Sequence, residues 1–247
     1  MLIVKIGGSV ITNKGKYRKI RENIIKRLAY EFYPNDSILI HGAGSFGHYL
    51  ADIHHLNDGL KEENRLEYSK VSRDLQELNT KIIEYLIRNG KPAITLPLHS
   101  FHMVGEEFNY RRFVDYIQRG FIPVIYGDIV LDPKKGMSIC SGDQIAFHLA
   151  KALRPERVIF VTDVDGIYDK NPKVYDDAIL LETVSSKDNI QFDGIFPDVT
   201  GSMEGKMRAM RAIARLGIDV LVINGLVRGR LRRAMVGDYV KGTRVLP

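Results

Sequence analysis

The 247-residue chain has no tryptophan and one cysteine, Cys140. A lone thiol excludes an internal disulfide framework and a Cys-based zinc site, and leaves Cys140 as a small core residue. Nor is there an apolar run of the roughly 18 residues that a membrane-spanning helix requires. The opening stretch MLIVKIGGSVI lacks a basic lead-in and is interrupted by Lys5. It reads as a buried strand, not a secretory signal, so a cytoplasmic protein with no membrane partner is expected. No Pro/Gly/Ser-rich linker, internal repeat or low-complexity tract divides the chain. Massed charge is also missing, because the net charge of +6 comes from 36 basic and 30 acidic residues spread along the sequence. The densest basic stretch, Arg228 to Arg233, reads first as a solvated helix face, so no nucleic-acid partner is expected.

What is present is an ordinary globular composition, 45% hydrophobic and 27% charged, in a length that suits one domain. Short β-branched or apolar runs at 2–6, 37–40, 92–96, 122–126, 157–162 and 219–223 predict strands. Segments of helical period lie between them, at about 18–33, 64–89, 110–119, 142–153 and 203–216. This alternation predicts an α/β fold with a mainly parallel sheet, and the nearly continuous apolar runs imply helices on both faces. In the 64–89 helix, Leu66, Val71, Leu75, Leu78, Ile82 and Leu86 form one face, either core or a dimer seam. Residues 127–140 predict a hairpin turned at DPKKG. A break near residue 150 marks two approximate lobes, 1–150 and 151–247, sharing one sheet.

Ligands of open α/β sheets bind outside the carboxyl ends of the strands, and five loops stand where such ends are expected. In KIGGSVITNK, Lys5 ends a strand, Gly7 and Gly8 permit close backbone approach, and Ser9 offers a hydroxyl. An ammonium beside bare N–H groups makes a phosphate cradle, although strand-Gly-Gly also makes a plain tight turn. The P-loop spacing is not there. In HGAGSFGH, residues 41–48, Gly42 and Gly44 present amides and Ser45 caps the following helix. His48 falls in that helix's first turn, and His41 reads as a packed strand-end histidine. In SGDQIAFHLAKAL, Ser141 or Asp143 serves as a helix cap, which leaves Gly142 unexplained. In VTDVDGIYDKNPK, Asp163 and Asp165 lack calcium-loop spacing and a third acid. Asp163 suits a ribose or a lysine, Tyr168 a base, and Asn171-Pro172 a turn. In DVTGSMEGKM, Lys206 is either a surface lysine or a charge clamp at a helix N-terminus.

Taken in order, KIGGSVIT, HGAGSFGH, YGD with SGD, TDVDGIYDKNP and DVTGSMEGKM resemble the amino acid kinase superfamily over nearly the whole chain. The resemblance implies an open αβα sandwich with the phosphoryl acceptor in the N-terminal half and ATP in the C-terminal half. It also implies Mg2+ and a homodimer. Within the superfamily the sequence is most similar to the isopentenyl phosphate kinases, with His48 diagnostic. That likeness implies direct in-line transfer from ATP to a small-molecule phosphate, isopentenyl phosphate.

Roles carry over where residues match. Lys5, Gly7, Gly8 and Ser9 would hold the ATP phosphates, and Lys14 would stabilise the transferring group. Ala43 would offer its amide to the acceptor phosphate and Gly44 its amide to the transferring group. His48 would bind the acceptor phosphate and Gly142 would contribute from the opposite side. Asp163, Tyr168, Asp169, Lys170, Asn171, Pro172, Lys173, Gly201, Gly205 and Lys206 would serve the nucleotide. Ala43 replaces a glycine common in the family and therefore requires a negative φ.

These residue types suit an acceptor that is already an anion. A phosphomonoester has a second pKa near ~6, so its oxygen needs no base at neutral pH. An alcohol acceptor would require an aspartate, and KIGGSVITNK and HGAGSFGH contain no acid. The obstacle is repulsion between phosphates, roughly 4 kcal/mol per pair of unit charges 4 Å apart at an effective dielectric near 20. Lys5, Lys14, Lys206, glycine amides and magnesium would offset it. With no dense acid cluster, the metal is expected on ATP phosphates and water, with Asp143 or Asp163 at most in support. Phe46, Tyr49, Ile53, Tyr68, Ile94 and Phe101 could line the pocket for the acceptor's tail or be ordinary core. A fosfomycin-type phosphonate kinase is the nearest alternative. A non-catalytic nucleotide-binding regulator would lack the lysines.

Overall fold

The computed structural model describes residues 1–13, 15–33, 36–187 and 203–247. Its strands are β1 (Leu2–Ile6), β2 (Ser37–His41), β3 (Ala93–Thr95), β4 (Ile122–Tyr126), β5 (Asp128–Asp132), β6 (Gly136–Cys140), β7 (Arg157–Thr162), β8 (Ile167–Tyr168), β9 (Leu180–Leu181), β10 (Thr183–Ser185), β11 (Asp219–Asn224) and β12 (Gly242–Leu246). The α-helices are α1 (Gly8–Ile11), α2 (Glu22–Glu31), α3 (His48–Ile53), α4 (Arg65–Arg88), α5 (Arg111–Gln118), α6 (Gly142–Leu153), α7 (Met203–Ala214) and α8 (Arg230–Val236).

The apolar runs of the sequence become the middle of an eight-stranded sheet, ordered β10-β12-β11-β7-β1-β2-β4-β3 and parallel except for the β11–β12 pair. β1 pairs with β2 on one side and β7 on the other, so a single sheet joins the two halves of the chain. Strand alternation sends successive side chains to opposite faces. Ile3 enters a core with Ile145 and Leu149 of α6 and Met210 and Ile213 of α7. Val4 and Ile6 enter the other core, with Leu28 of α2, Leu78 and Ile82 of α4 and Leu231 of α8. Lys5 shares the Ile3 face, which aims it at α6.

The 128–140 hairpin forms as β5 paired with β6. In α4, Val71, Leu75, Leu78, Ile82 and Leu86 are core, but Leu66 is exposed. Besides the short strands β8, β9 and β10, which the sequence pattern does not predict, three departures from it stand out. The first is β12, whose GTRVL alternates instead of running apolar because its sheet position is peripheral. α8 takes the basic stretch, where Arg230 pairs with Asp165 and Arg232 lies over the Tyr33 ring. α2 starts at Glu22, four residues later than the periodicity suggests. Arg18 adopts a left-handed φ of +52° and Thr12 bridges Ile20, so the chain turns back before the helix begins.

Candidate active site

Parallel register brings the carboxyl ends of β1, β2 and β7 level, with Ile6 opposite His41 on one side and Val161 on the other. The loops that follow are tied together by their backbones. Gly7 N–H donates to Val161 O at 2.8 Å and Gly42 N–H to Ile6 O at 2.8 Å. Those two amides are spent on the fold, so Gly42 does not offer its N–H to a ligand as the sequence suggested. The amides of Gly8 and Ser9 open α1, where a helix has no internal acceptor for them.

The two glycine turns pack back to back. A Cβ on Gly8 would stand 2.3 Å from Gly44 N, and one on Gly44 would stand 2.1 Å from Thr12 Oγ1. Gly44 also has a φ of +53°, while Ala43 has a φ of −67° and carries its methyl without strain. Thr12 is the pin between the loops, since its Oγ1 donates to Gly8 O at 2.8 Å and accepts from Ser45 N–H at 3.0 Å. The sequence gives no sign of this role. Left-handed backbone costs roughly 1–2 kcal/mol for a residue with a Cβ, and the clash adds to it. Gly44→Ala is therefore expected to lose about 3 kcal/mol or more in denaturant unfolding, whereas Ala43→Gly should stay within about 1 kcal/mol.

On the opposite wall, Ser141 caps α6 in a reciprocal capping box, with Gln144 N–H donating to Ser141 Oγ at 3.2 Å and Ser141 N–H to Gln144 Oε1 at 2.8 Å. That settles the cap as Ser141 and frees Asp143 for Lys5, whose Nζ lies 2.5 Å from Asp143 Oδ1. Gly142 is buried between them, with space for a Cβ only 3.3 Å from Lys5 Cε. Lys5 itself is 5% exposed.

The two histidines of HGAGSFGH separate. His41 is fully buried, stacked on Tyr126, and its ring nitrogens lie near Gly42 O and Asn79 Oδ1. Burial pushes its pKa down to about 4 despite these hydrogen bonds, so it is a neutral packing group at physiological pH. His48 is half-buried and is the first residue of α3. Ser45 is not that helix's cap: it sits in the preceding 3-10 turn, and Gly47 occupies the cap position. Of the proposed tail-pocket residues, Phe46 and Tyr68 are core and Phe101 packs edge-on against Phe108 and Phe113. Ile94 is half-buried in β3, whereas Tyr49 and Ile53 are exposed. Ala43 packs against a small separate apolar cluster that includes Leu50, Leu56, Val71, Leu75 and Ile129.

Beyond β7, Asp163 pairs with Lys173 and takes a hydrogen bond from the Ser9 side chain. Burial alone would raise its pKa, but Lys173 and these hydrogen bonds hold the carboxyl below its ordinary range. This contact links the first glycine turn to the 163–173 loop. Within that loop, Asp169 accepts from the N–H groups of Lys170 and Ile179, Lys170 pairs with Asp177, and Asn171 accepts from Lys173 N–H. These three side chains shape the turn around Pro172, and Tyr168 stands beside it in β8. Asp165 belongs elsewhere, held by Arg230, Lys241 and Asn224. Gly205 and half-buried Lys206 lie in the first turns of α7, while Lys14 and Gly201 lie outside the described residues. Among the described residues no group of three or more His, Cys, Asp or Glu is gathered as a metal cage. Sequence reasoning placed Asp128 within YGD but gave it no role; it is buried after β4 and accepts from His99 Nδ1 at 2.7 Å.

The family model described as "Amino acid kinase family" matches residues 1–224. The isopentenyl phosphate kinase of Methanothermobacter thermautotrophicus is 36% identical, with 99% of this chain and 98% of that protein aligned. The isopentenyl phosphate kinase of Thermoplasma acidophilum is 37% identical over 91% of this chain and 92% of its own. A crystal structure of an isopentenyl phosphate kinase superposes with a TM-score of 0.86 at 33% identity, covering 99% of both chains.

Proposed function

Because the chain belongs to the amino acid kinase family and is a phosphotransferase similar to isopentenyl phosphate kinases over nearly its whole length, we propose that it transfers the terminal phosphate of ATP to isopentenyl phosphate, giving isopentenyl diphosphate. The observation that carries this reading is the pair of interlocked, acid-free glycine turns with His48 beside them. The turns themselves supply no base to deprotonate an alcohol, Asp143 and Asp163 beside them each face a lysine, and a phosphate needs no base.

The chain's residues then divide the work. Lys5, the Gly8 and Ser9 amides, Lys14 and Lys206 hold and neutralise the ATP phosphates and the transferring group. The Ala43 amide, His48 and Gly142 hold the acceptor phosphate, and the Gly44 amide meets the transferring group. Catalysis is positioning plus charge compensation in a site where Asp143 fixes the Lys5 ammonium. Asp163, with Ser9 and Lys173, connects the nucleotide loop to the phosphate turn. Asp143 and Asp163 each already face a lysine, which suits Mg2+ held by ATP phosphates and water more than by a protein cage. When bound, the ion supplies further compensation of phosphate charge. Lobes at 1–150 and 151–247, a homodimer and a cytoplasmic setting belong to the same reading.

The test is to supply Mg-ATP with isopentenyl phosphate, dimethylallyl phosphate, fosfomycin and simple alcohols, and to follow ADP release. Rapid turnover with isopentenyl phosphate is expected, with none from the alcohols. ADP release with alcohols alone would sink the phosphate-acceptor reading, and preference for fosfomycin would replace it with phosphonate transfer.

A further inference from the structure

Between α1 and α2 the described segment 15–20 is fastened to the acceptor turn, to α3 and to α4. Arg18 N–H donates to Ser45 O at 3.3 Å from a left-handed backbone with φ of +52°. The Tyr17 ring stacks on Tyr49, the neighbour of His48 in α3, with centroids 5.1 Å apart. The Tyr17 hydroxyl donates to Asp74 Oδ2 at 2.5 Å. Asp74 is fully buried in α4. Arg73 donates to its Oδ1 at 2.6 and 2.9 Å, Arg18 Nε lies 3.5 Å away, and Arg18 also pairs with Glu77. A buried carboxylate is costly unless its partners are held in place. Two of its partners, Tyr17 and Arg18, come from the segment that touches the acceptor turn, and no role assigned above uses them.

We infer that Asp74 and Tyr17 are positioning residues for the acceptor: through the Tyr49 stack and the Arg18–Ser45 bond they fix the turn 44–48, and with it His48, for the incoming phosphate. The inference rests on the acceptor reading above. Tyr17 is 38% exposed, so Tyr17→Phe removes the hydroxyl without opening the core. The expected result is a fall of about tenfold in kcat/KM for isopentenyl phosphate, chiefly through KM, with the ATP KM unchanged. Asp74→Asn should act in the same direction and, being buried, more strongly. Trypsin should cut after Lys16, Arg18 or Lys19 several-fold faster in both variants than in the wild type.

Unchanged cleavage in Tyr17→Phe would overturn the clamp. Faster cleavage with unaltered isopentenyl phosphate kinetics, or with equal losses toward ATP, would overturn its positioning role. Should the wild type fail to use isopentenyl phosphate, the acceptor reading fails by itself. The clamp is then judged by cleavage and by the same KM split for whichever anion of the panel reacts.

Discussion

His48→Ala is expected to lower kcat/KM for isopentenyl phosphate by about 10², with the ATP KM and the unfolding midpoint near their wild-type values. A charge-assisted hydrogen bond to a phosphate is worth roughly 2–3 kcal/mol, which is that factor in rate. Stability should be spared because His48 is half-buried at a helix start rather than packed in either core. His41 supplies the contrast: truncating it removes a fully buried ring from its Tyr126 stack, so its loss should appear in unfolding first. His48→Gln keeps a donor on a side chain of similar reach and should fall between wild type and alanine. Steady-state kinetics with each substrate varied in turn decide the matter. Near-wild-type kcat/KM in His48→Ala would remove the residue from the mechanism, and an equal effect on ATP would assign it to the wrong substrate.

The parts of the fold legible in the sequence are those whose physics is local. β1, β4 and β7 could be read to the residue because strands buried on both faces need unbroken apolar runs. The β5–β6 hairpin was legible from its Pro and Gly turn, and α6 from its helical period behind a Ser141 or Asp143 cap. β12 was not, since an alternating five-residue segment near a sheet edge resembles any loop with two valines' worth of apolar surface. The late start of α2 was hidden for another reason. Residues 18–21 have acceptable helical composition, but the Thr12–Ile20 bridge and the Ser45 contact hold them in a turn.

The candidate site divides the same way. Gly8 and Gly44 were legible because a requirement for glycine is written in the residue itself. The division between His41 and His48 followed from strand end against helix start. Thr12, Asp74, and the His99–Asp128 pair depend on contacts between residues far apart in the chain. No spacing rule reports such pairs. The amides of Gly7 and Gly42 show the converse, glycines that look like ligands in sequence and serve the backbone in the fold.

Lys5→Met is expected to abolish nearly all turnover and also to destabilise the protein, and the two losses can be separated. Lys5 and Asp143 have side-chain exposures of only 6% and 13%, and among the described residues Asp143 Oδ1 has no hydrogen-bond donor aligned on it apart from the ionic contact at 2.5 Å. Removing the ammonium leaves a nearly buried carboxylate uncompensated, a cost of about 3–5 kcal/mol. The rate loss has a different origin. An ammonium at the end of β1, beside the Gly8 and Ser9 amides, is lost from where negative charge is gathered, and a single such donor is typically worth 10²–10³ in kcat. Lys5→Met combined with Asp143→Asn removes the orphaned charge, so it should recover most of the stability in urea unfolding while leaving kcat depressed. Recovery of activity along with stability would mean that Lys5 only holds α6 in place. Recovery of neither would mean that the amide at position 143 disturbs the helix start itself, which Asp143→Asn alone would reveal as a stability loss with Lys5 intact.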